Sequence, residues 1–279
     1  MMKRTVYCLL LLLYVNCICA QSDITKIRAI YNSDYLKYEE DDSLSRDISL
    51  LDIGTYASRF CSLVGEWYNL NPVGRAPYPG TTIKDDDVYK NIPYKGKMLS
   101  VHFPGRIVTQ DAINNLFDWQ LLEGDSTVCG YPCHKAQTTF RGRTWTAWYT
   151  LDLPYSDGPW KLCGLPGLIL HACDSEGKFV FNCIGIENGD GHPFTYKIGN
   201  HDNIVSAERA EELLILEAAD RDGYYKLIMP GLTRFWVTDK NGRIIKQMPK
   251  TAVPYEVFPQ NHKKKPAKKK PATKKRRRR

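Results

Sequence analysis

The sequence predicts a mostly β fold: a curved antiparallel sheet or unclosed β-barrel with one packed α-helix. Three observations predict it. Apolar and polar residues alternate densely between Cys133 and Ile186. Turn-forming clusters, Asp174-Ser175-Glu176-Gly177 and Asp239-Lys240-Asn241-Gly242, punctuate short alternating runs. Helical spacing of apolar residues is strong in one stretch, Ser206–Ala219. The 279 residues suit one domain or two small ones at about 150 residues each. With 43% apolar and 25% charged residues, wholesale disorder is excluded.

Residues 1–20, MMKRTVYCLLLLLYVNCICA, have a basic start, a short apolar stretch from Val6 to Val15 and the small exit residue Ala20. This is the layout of a secretory signal peptide, and the apolar stretch is too short for the ~20 residues of a membrane span. The chain is therefore expected to be exported: periplasmic, outer-membrane associated or secreted. Residues 21–259 are read as one β-rich domain. After a loose start come two alternating stretches, Asp47–Ile53 and Thr55–Ser62, split by Gly54. Residues 65–97, rich in Gly, Pro, Asp and Tyr and containing Asp85-Asp86-Asp87, read as a long loop or insertion. Met98–Phe103 alternates again, and Leu116–Leu122 is a further strand candidate. Arg143–Leu151 carries aromatic or β-branched residues on both faces, as a strand covered on both sides requires. Leu168–Cys173 and Lys178–Ile186 make a hairpin. The helix has Ser206 as N-cap and early acidic residues Glu208, Glu211 and Glu212 that suit the positive dipole end. Leu232–Thr238 and Gly242–Ile245 form a closing hairpin.

Charge is uneven. Residues 260–279 are a basic tail expected to be disordered, with Lys263, Lys264, Lys265, Lys268, Lys269, Lys270, Lys274, Lys275, Arg276, Arg277, Arg278 and Arg279 and no acid. Without these twelve and Lys3 and Arg4, 25 basic residues face 31 acidic ones, so the formal charge of +8 hides an acidic body. In an exported protein such a tail fits an anionic envelope surface, lipid phosphate or lipopolysaccharide, at about 1 kcal/mol per cation. A sequence-specific nucleic-acid partner is not expected.

Six cysteines follow the signal: Cys61, Cys129, Cys133, Cys163, Cys173 and Cys183. An even number in an exported chain favours disulfides, with 15 possible pairings. Cys129 and Cys133 could close across a tight turn, whereas the hairpin would set Cys183 opposite about Leu168, away from Cys173.

The string Gly164-Leu165-Pro166-Gly167-Leu168-Ile169 resembles the motif that names the GLPGLI family of bacterial cell-envelope proteins. Upstream, Cys133-His134-Lys135-Ala136 and the Trp-containing run Phe140–Thr150 resemble the family's preceding strands, and Leu51-Asp52-Ile53-Gly54 with Ser58-Arg59-Phe60 its N-terminal segment. The resemblance implies an exported, β-rich protein whose activity is not established, and it assigns no catalytic residue. Physically the string is a bend into a buried strand. Pro166 fixes its own φ and holds Leu165 extended, while the two glycines allow positive φ or close backbone approach.

Catalytic patterns are missing: no Gly-x-Ser-x-Gly, no HExxH and no phosphate-cradling Lys-Ser/Thr after the glycines. No cofactor is expected. His134, His171, Cys163, Cys173 and Cys183 offer a metal- or thiol-active alternative whose spacing fits no known finger. Acid pairs Asp85–Asp87 and Asp220–Asp222 lack the calcium-loop pattern. Trp145, Trp148, Tyr149 and Trp160 are the candidate lining of a ligand cleft on the concave sheet face. The expected function is thus a non-enzymatic envelope protein that binds a hydrophobic or peptidic ligand and is held at an anionic surface by its tail. The alternative is a structural or assembly partner of an outer-membrane complex, marked by a filled interior and a bare sheet edge.

Overall fold

The computed structural model describes residues 22–64, 86–102, 106–228, 237–238, 244–245 and 249–258. The expected signal peptide and basic tail lie outside these residues. The chain runs through β1 (Asp23–Ile24) into a first meander of β2 (Ile27–Tyr35), β3 (Ser45–Ile53), β4 (Ser58–Ser62), β5 (Asp86–Lys90), β6 (Lys97–His102) and β7 (Ile107–Ala112). A second meander contains β8 (Gln120–Val128), β9 (Tyr131–Phe140), β10 (Arg143–Thr150), β11 (Leu168–Asp174) and β12 (Phe179–Asn188). Then come β13 (Pro193–Phe194), β14 (Asn203–Ile204), α1 (Ala207–Ala219), α2 (Arg221–Ile228), β15 (Val237–Thr238) and β16 (Ile244–Ile245).

The two meanders join edge to edge where β12 pairs antiparallel with β2, from Phe179↔Tyr35 to Asn188↔Ile27. The result is a twelve-stranded sheet ordered β14-β7-β6-β5-β4-β3-β2-β12-β11-β10-β9-β8. Its curvature follows from chain length. β7 and β8 stand ten strand spacings apart, ~48 Å if the sheet were flat. The seven residues 113–119 that connect them span at most ~28 Å. The sheet therefore curls into an unclosed barrel, β-rich throughout.

One core fills the concave side, shared by both meanders: Ala29 and Tyr31 on β2, Leu51 on β3, Trp145 and Ala147 on β10 and Phe179 on β12 are all fully buried. A second core covers the convex side of β5–β7, where Tyr89, Leu99, Val101 and Val108 meet Phe194 and Tyr196. The helices add a third, with Ala210, Leu213, Tyr224 and Tyr225 around Ile107 of β7. α1 begins as predicted: the Ser206 hydroxyl accepts the Arg209 N–H at 3.2 Å.

Several expectations need correction. Among the described residues two helices are named rather than one. Asp220 ends α1 and starts α2, its carboxylate accepting the Gly223 N–H at 3.0 Å, while Asp222 pairs with Lys226 along α2. The Asp220–Asp222 pair thus belongs to helix ends. The loose start is β1 and the nine-residue β2, whose inward residues Ala29, Tyr31, Ser33 and Tyr35 mix small, polar and aromatic side chains and so hide the alternation. Within the expected insertion 65–97, residues 86–90 form β5 between β4 and β6. Its charges find partners: Arg59 and the Tyr89 hydroxyl bind Asp87, and Lys90 reaches inward. Residues 65–85 lie outside the described residues. The strand expected at Leu116–Leu122 starts later, at Gln120, because 113–119 make the crossing. Of the closing hairpin, only the pairing of β15 with β16 is described.

Candidate functional site: a filled concave face and a free strand edge

The segment 151–167, between β10 and β11, folds into the concavity. Trp160, Leu162, Cys163 and Leu165 are each 4% exposed or less. A buried lysine holds it. Lys90 Nζ donates to Asp157 Oδ1 at 2.5 Å, the Gly158 carbonyl at 2.6 Å and the Leu162 carbonyl at 3.2 Å. All three ammonium protons are thereby satisfied, as burial of that charge requires. Trp119 Nε1–H donates to the Cys163 carbonyl at 2.9 Å, and Tyr31 donates to the Ile169 carbonyl at 2.7 Å.

Residues 164–169 are the corner by which this segment returns to β11. Gly164 has φ +96°, which a β-substituted residue adopts only with strain. A Cβ on Gly167 would stand 1.9 Å from the Thr150 carbonyl oxygen, so the close approach needs glycine. Leu168 and Ile169 then enter β11 fully buried. The motif therefore acts in packing.

Four charges lock the open side of the barrel. Lys161 Nζ donates to Glu256 Oε1 at 2.5 Å and Asp111 Oδ2 at 3.1 Å, and Arg141 donates to Glu256 Oε2 at 2.6 Å and to Asp111 Oδ1. Asp111 lies on β7, Arg141 on the β9–β10 turn, Lys161 in the inner segment and Glu256 near the C-terminal end of the described chain. Two positive and two negative groups thus bridge β7 of the first meander, the β9–β10 turn of the second, the inner segment and the C-terminal stretch. Burial pushes the Asp111 carboxyl up, but Lys161 and Arg141 together outweigh it and leave it below the ordinary value.

The aromatic candidates divide. Trp145 is fully buried, stacked near Phe181 (ring centres 6.1 Å) and Trp160 (5.5 Å), and Tyr149 is 4% exposed. Half-buried Trp148 takes the opposite face, edge-on to His171 (5.1 Å) with Lys135 Nζ 5.6 Å from its ring. The four do not line one cleft. A pocket of about 30 Å³ opens between Ser33, Asp47, Ser49, Ser62, Trp160 and Tyr255, room for about a water rather than the ~300–1,000 Å³ of a ligand site.

The six described cysteines are free thiols, with no pair at bonding distance. Val128 pairs with Tyr131, so Cys129 sits at the apex of a two-residue turn while Cys133 pairs with Ser126 further down the ladder. Cys173 pairs with Val180, three positions before Cys183. Burial pushes the Cys163 thiol up to about 11. Among the described residues no three His, Cys, Asp or Glu side chains group as metal ligands. His171 is instead bonded through Nδ1 to Asn182 at 3.1 Å, and burial lowers its pKa against that bond.

The two ends of the sheet differ. β14 covers β7, with Val205 N–H donating to the Val108 carbonyl at 3.0 Å. β8 ends the sheet among the described residues and is exposed from Gln120 to Thr127, including Leu121 at 66% and Leu122 at 39%. Val128↔Tyr131 closes the two-residue hairpin as a hydrogen-bonded pair, and the ladder then alternates. Thr127, opposite Pro132, and Asp125 therefore turn their backbone N–H and C=O away from β9. Pro132, which has no N–H, is tolerated at such a position. The exposed edge was not legible as such; Glu123-Gly124-Asp125, a charged bulge inside a strand, was its one sequence signal.

Residues 134–171 match the family described as a protein of unknown function, Porph_ging. The matched stretch holds most of β9, β10, the inner segment and the start of β11, and it includes Gly164–Ile169. No curated protein matches the sequence. Among solved structures, PNGF-II is similar at 15% identity and a TM-score of 0.44, covering 67% of this chain and 32% of that one. MucB in complex with MucA(peri) is similar at 12% identity and a TM-score of 0.29, covering 66% and 57%. The Pseudomonas aeruginosa MucA/MucB complex gives 14% identity and 0.29 over 66% and 58%. The chain spans about a third of the length of PNGF-II.

Proposed function

We propose that the protein is an exported, non-enzymatic cell-envelope protein of the GLPGLI type that serves as a structural or assembly partner. In this reading it accepts an extended, peptidic segment of another envelope protein along β8. One observation carries the reading: the concave face is filled by the protein's own 151–167 segment, while β8 is exposed along its length with the Asp125 and Thr127 backbone groups turned outward. A strand edge of this kind takes up main-chain hydrogen bonds from an added strand, and side chains on alternating positions supply selectivity. The acidic guard residues Glu123 and Asp125 favour a partner segment with basic side chains. The tail, residues 260–279, contributes attachment to an anionic envelope surface.

The test is photo-cross-linking in the host, with a benzophenone amino acid placed at Leu121, at Ser126 and, as control, at Thr139 on β9. A single envelope protein captured from Leu121 and Ser126 and absent from Thr139 supports the reading. Equal capture from all three sites, or none from β8, removes it.

A further inference from the structure

The small pocket on the concave side has a defined chemistry. Its floor is a patch of side-chain oxygens on three neighbouring strands: Ser33 on β2, Asp47 and Ser49 on β3, and Ser62 on β4. Register brings them together, since Ser33 pairs with Asp47 and Ser49 with Ser62. The three serines are each 5% exposed. The Ser33 and Ser49 hydroxyls share one hydrogen bond at 2.8 Å, which leaves acceptor lone pairs on both. Asp47 Oδ1 accepts the Ile48 N–H at 2.8 Å, and a carboxylate has further acceptor sites beyond that one.

The walls are aromatic. Tyr255 stacks with Trp160 at 5.2 Å between ring centres and with Phe181 at 6.5 Å. Trp160 reaches this place with φ +51°, a conformation that bulky residues rarely adopt. Charge makes the pocket one-sided. Among the described residues its lining holds one carboxylate and no Lys, Arg or His. Arg46, the residue before Asp47, takes the opposite face of the sheet and binds Asp34 at 2.6 Å. Burial raises the Asp47 carboxyl, and the Ser62 hydroxyl and the Ile48 amide offset that only in part. A cation beside it would relieve that cost.

The volume of about 30 Å³ selects among cations. An –NH₃⁺ group is about the size of a water molecule and brings three donors for the floor oxygens to accept. A guanidinium or a trimethylammonium is too large. A divalent metal wants a shell of oxygens, which aromatic walls do not supply. Those walls do suit an ammonium on a methylene stem, which packs along ring faces. An ethanolamine headgroup would bring a phosphate close behind its ammonium, with no cation in the lining to receive it.

We infer that this pocket binds the primary ammonium group of a lysine side chain, with Asp47 as counter-ion, serine oxygens as further acceptors, and Trp160, Phe181 and Tyr255 around the stem. That ammonium has two sources: the lysines of this chain's own tail, of which the first, Lys263, follows Tyr255 by eight residues, or a lysine of another protein. The inference does not rest on strand addition at β8, which ends the sheet order away from β2–β4.

The experiment follows amide and indole resonances of the isotope-labelled full chain, and of a full-length variant whose eight tail lysines are replaced by Gln, during titration with Nα-acetyl-lysine amide. Controls are its uncharged Nε-acetylated form, phosphoethanolamine and potassium chloride. In the tail variant the charged ligand gives a saturable shift at Ser33, Ser49, Ser62 and the Trp160 indole, and the controls give none. Asp47→Asn in that background weakens binding by about tenfold or more, as loss of a hydrogen bond to a charged group does. The comparison of charged with uncharged ligand needs no change in the pocket itself. If the tail is the source, the pocket resonances of the ligand-free full chain already stand at the bound positions of the variant; if another protein is, the full chain titrates as the variant does. An equal response to any control, undiminished binding in Asp47→Asn, shifts confined to residues outside the pocket, or no response in the tail variant would overturn the inference.

Discussion

Lys161→Met removes one member of the buried charge cluster and keeps most of the side-chain volume. Lys161 is 2% exposed, and its ammonium serves Asp111 and Glu256 together. After the change two carboxylates share only Arg141, in a site that admits little water. Breaking a buried pair from one side costs about 3–5 kcal/mol, because a charge is left without compensation. Against a typical total of ~5–15 kcal/mol this is a large fraction. With a urea slope of about 2–3 kcal/mol/M, the unfolding midpoint falls by roughly 1–2 M. Tryptophan fluorescence reports it, since Trp145 and Trp160 lie in the adjoining core. The pH dependence follows from Asp111, whose carboxyl is held below its ordinary value in the folded chain. Such a depressed group adds stability above its unfolded pKa of ~3.9, and that stability is lost as pH falls through the folded value. In Lys161→Met the acid loss begins at higher pH. Adding Asp111→Leu leaves the Arg141–Glu256 pair and recovers part of the loss, a coupling of about 1–3 kcal/mol. A midpoint shift below roughly 0.3 M would mean that the cluster behaves as an exposed ion pair, and the reasoning about barrel closure would fail.

The remaining predictions concern the corner, the thiols and the edge. Gly167→Ala drives a Cβ into the Thr150 carbonyl and costs about 2–4 kcal/mol in chemical denaturation, whereas Gly130→Ala, with open space around its Cβ but φ +84°, costs about 1–2 kcal/mol. Similar losses for both would show that the corner is loose. In the native reduced protein at pH 8 a thiol reagent modifies exposed Cys129 first, while Cys163 and Cys183, pushed up to about 11 and about 12, react only on unfolding; early labelling of Cys163 would contradict the packed interior. Thr127→Pro removes an outward N–H without removing a β8–β9 ladder bond, so stability stays within about 1 kcal/mol while partner cross-linking from β8 is lost. Retained cross-linking would separate capture from strand addition.

What the sequence shows of this fold depends on where the determining contacts lie. The β11–β12 hairpin and α1 are written locally: Asp174–Gly177 supplies the turn, with Gly177 at φ +67°, and Ser206 the cap. β2 is obscure because Tyr31 and Ser33 earn inward positions only through distant partners, the Ile169 carbonyl and the Ser49 hydroxyl. β5 is obscure because Asp87 and Lys90 look like loop charges until Arg59 and Asp157 meet them. The same holds for the four-charge cluster, whose members lie between 20 and 145 residues apart with no spacing rule. The aromatic concentration around Trp145 was legible, but which face it serves was not, because alternation alone cannot say that the chain's own 151–167 segment fills the concavity.

Strand addition at β8 is tested most directly by residue-resolved amide exchange on the protein alone and on its cross-linked or reconstituted partner complex. In the free protein Ser126 and Val128, bonded to β9, exchange slowly, and Asp125 and Thr127 exchange fast. On partner binding Asp125 and Thr127 become protected while the concave residues of β10 stay unchanged. Continued fast exchange at Asp125 and Thr127 in the complex, or new protection confined to the concave face, would contradict the proposal.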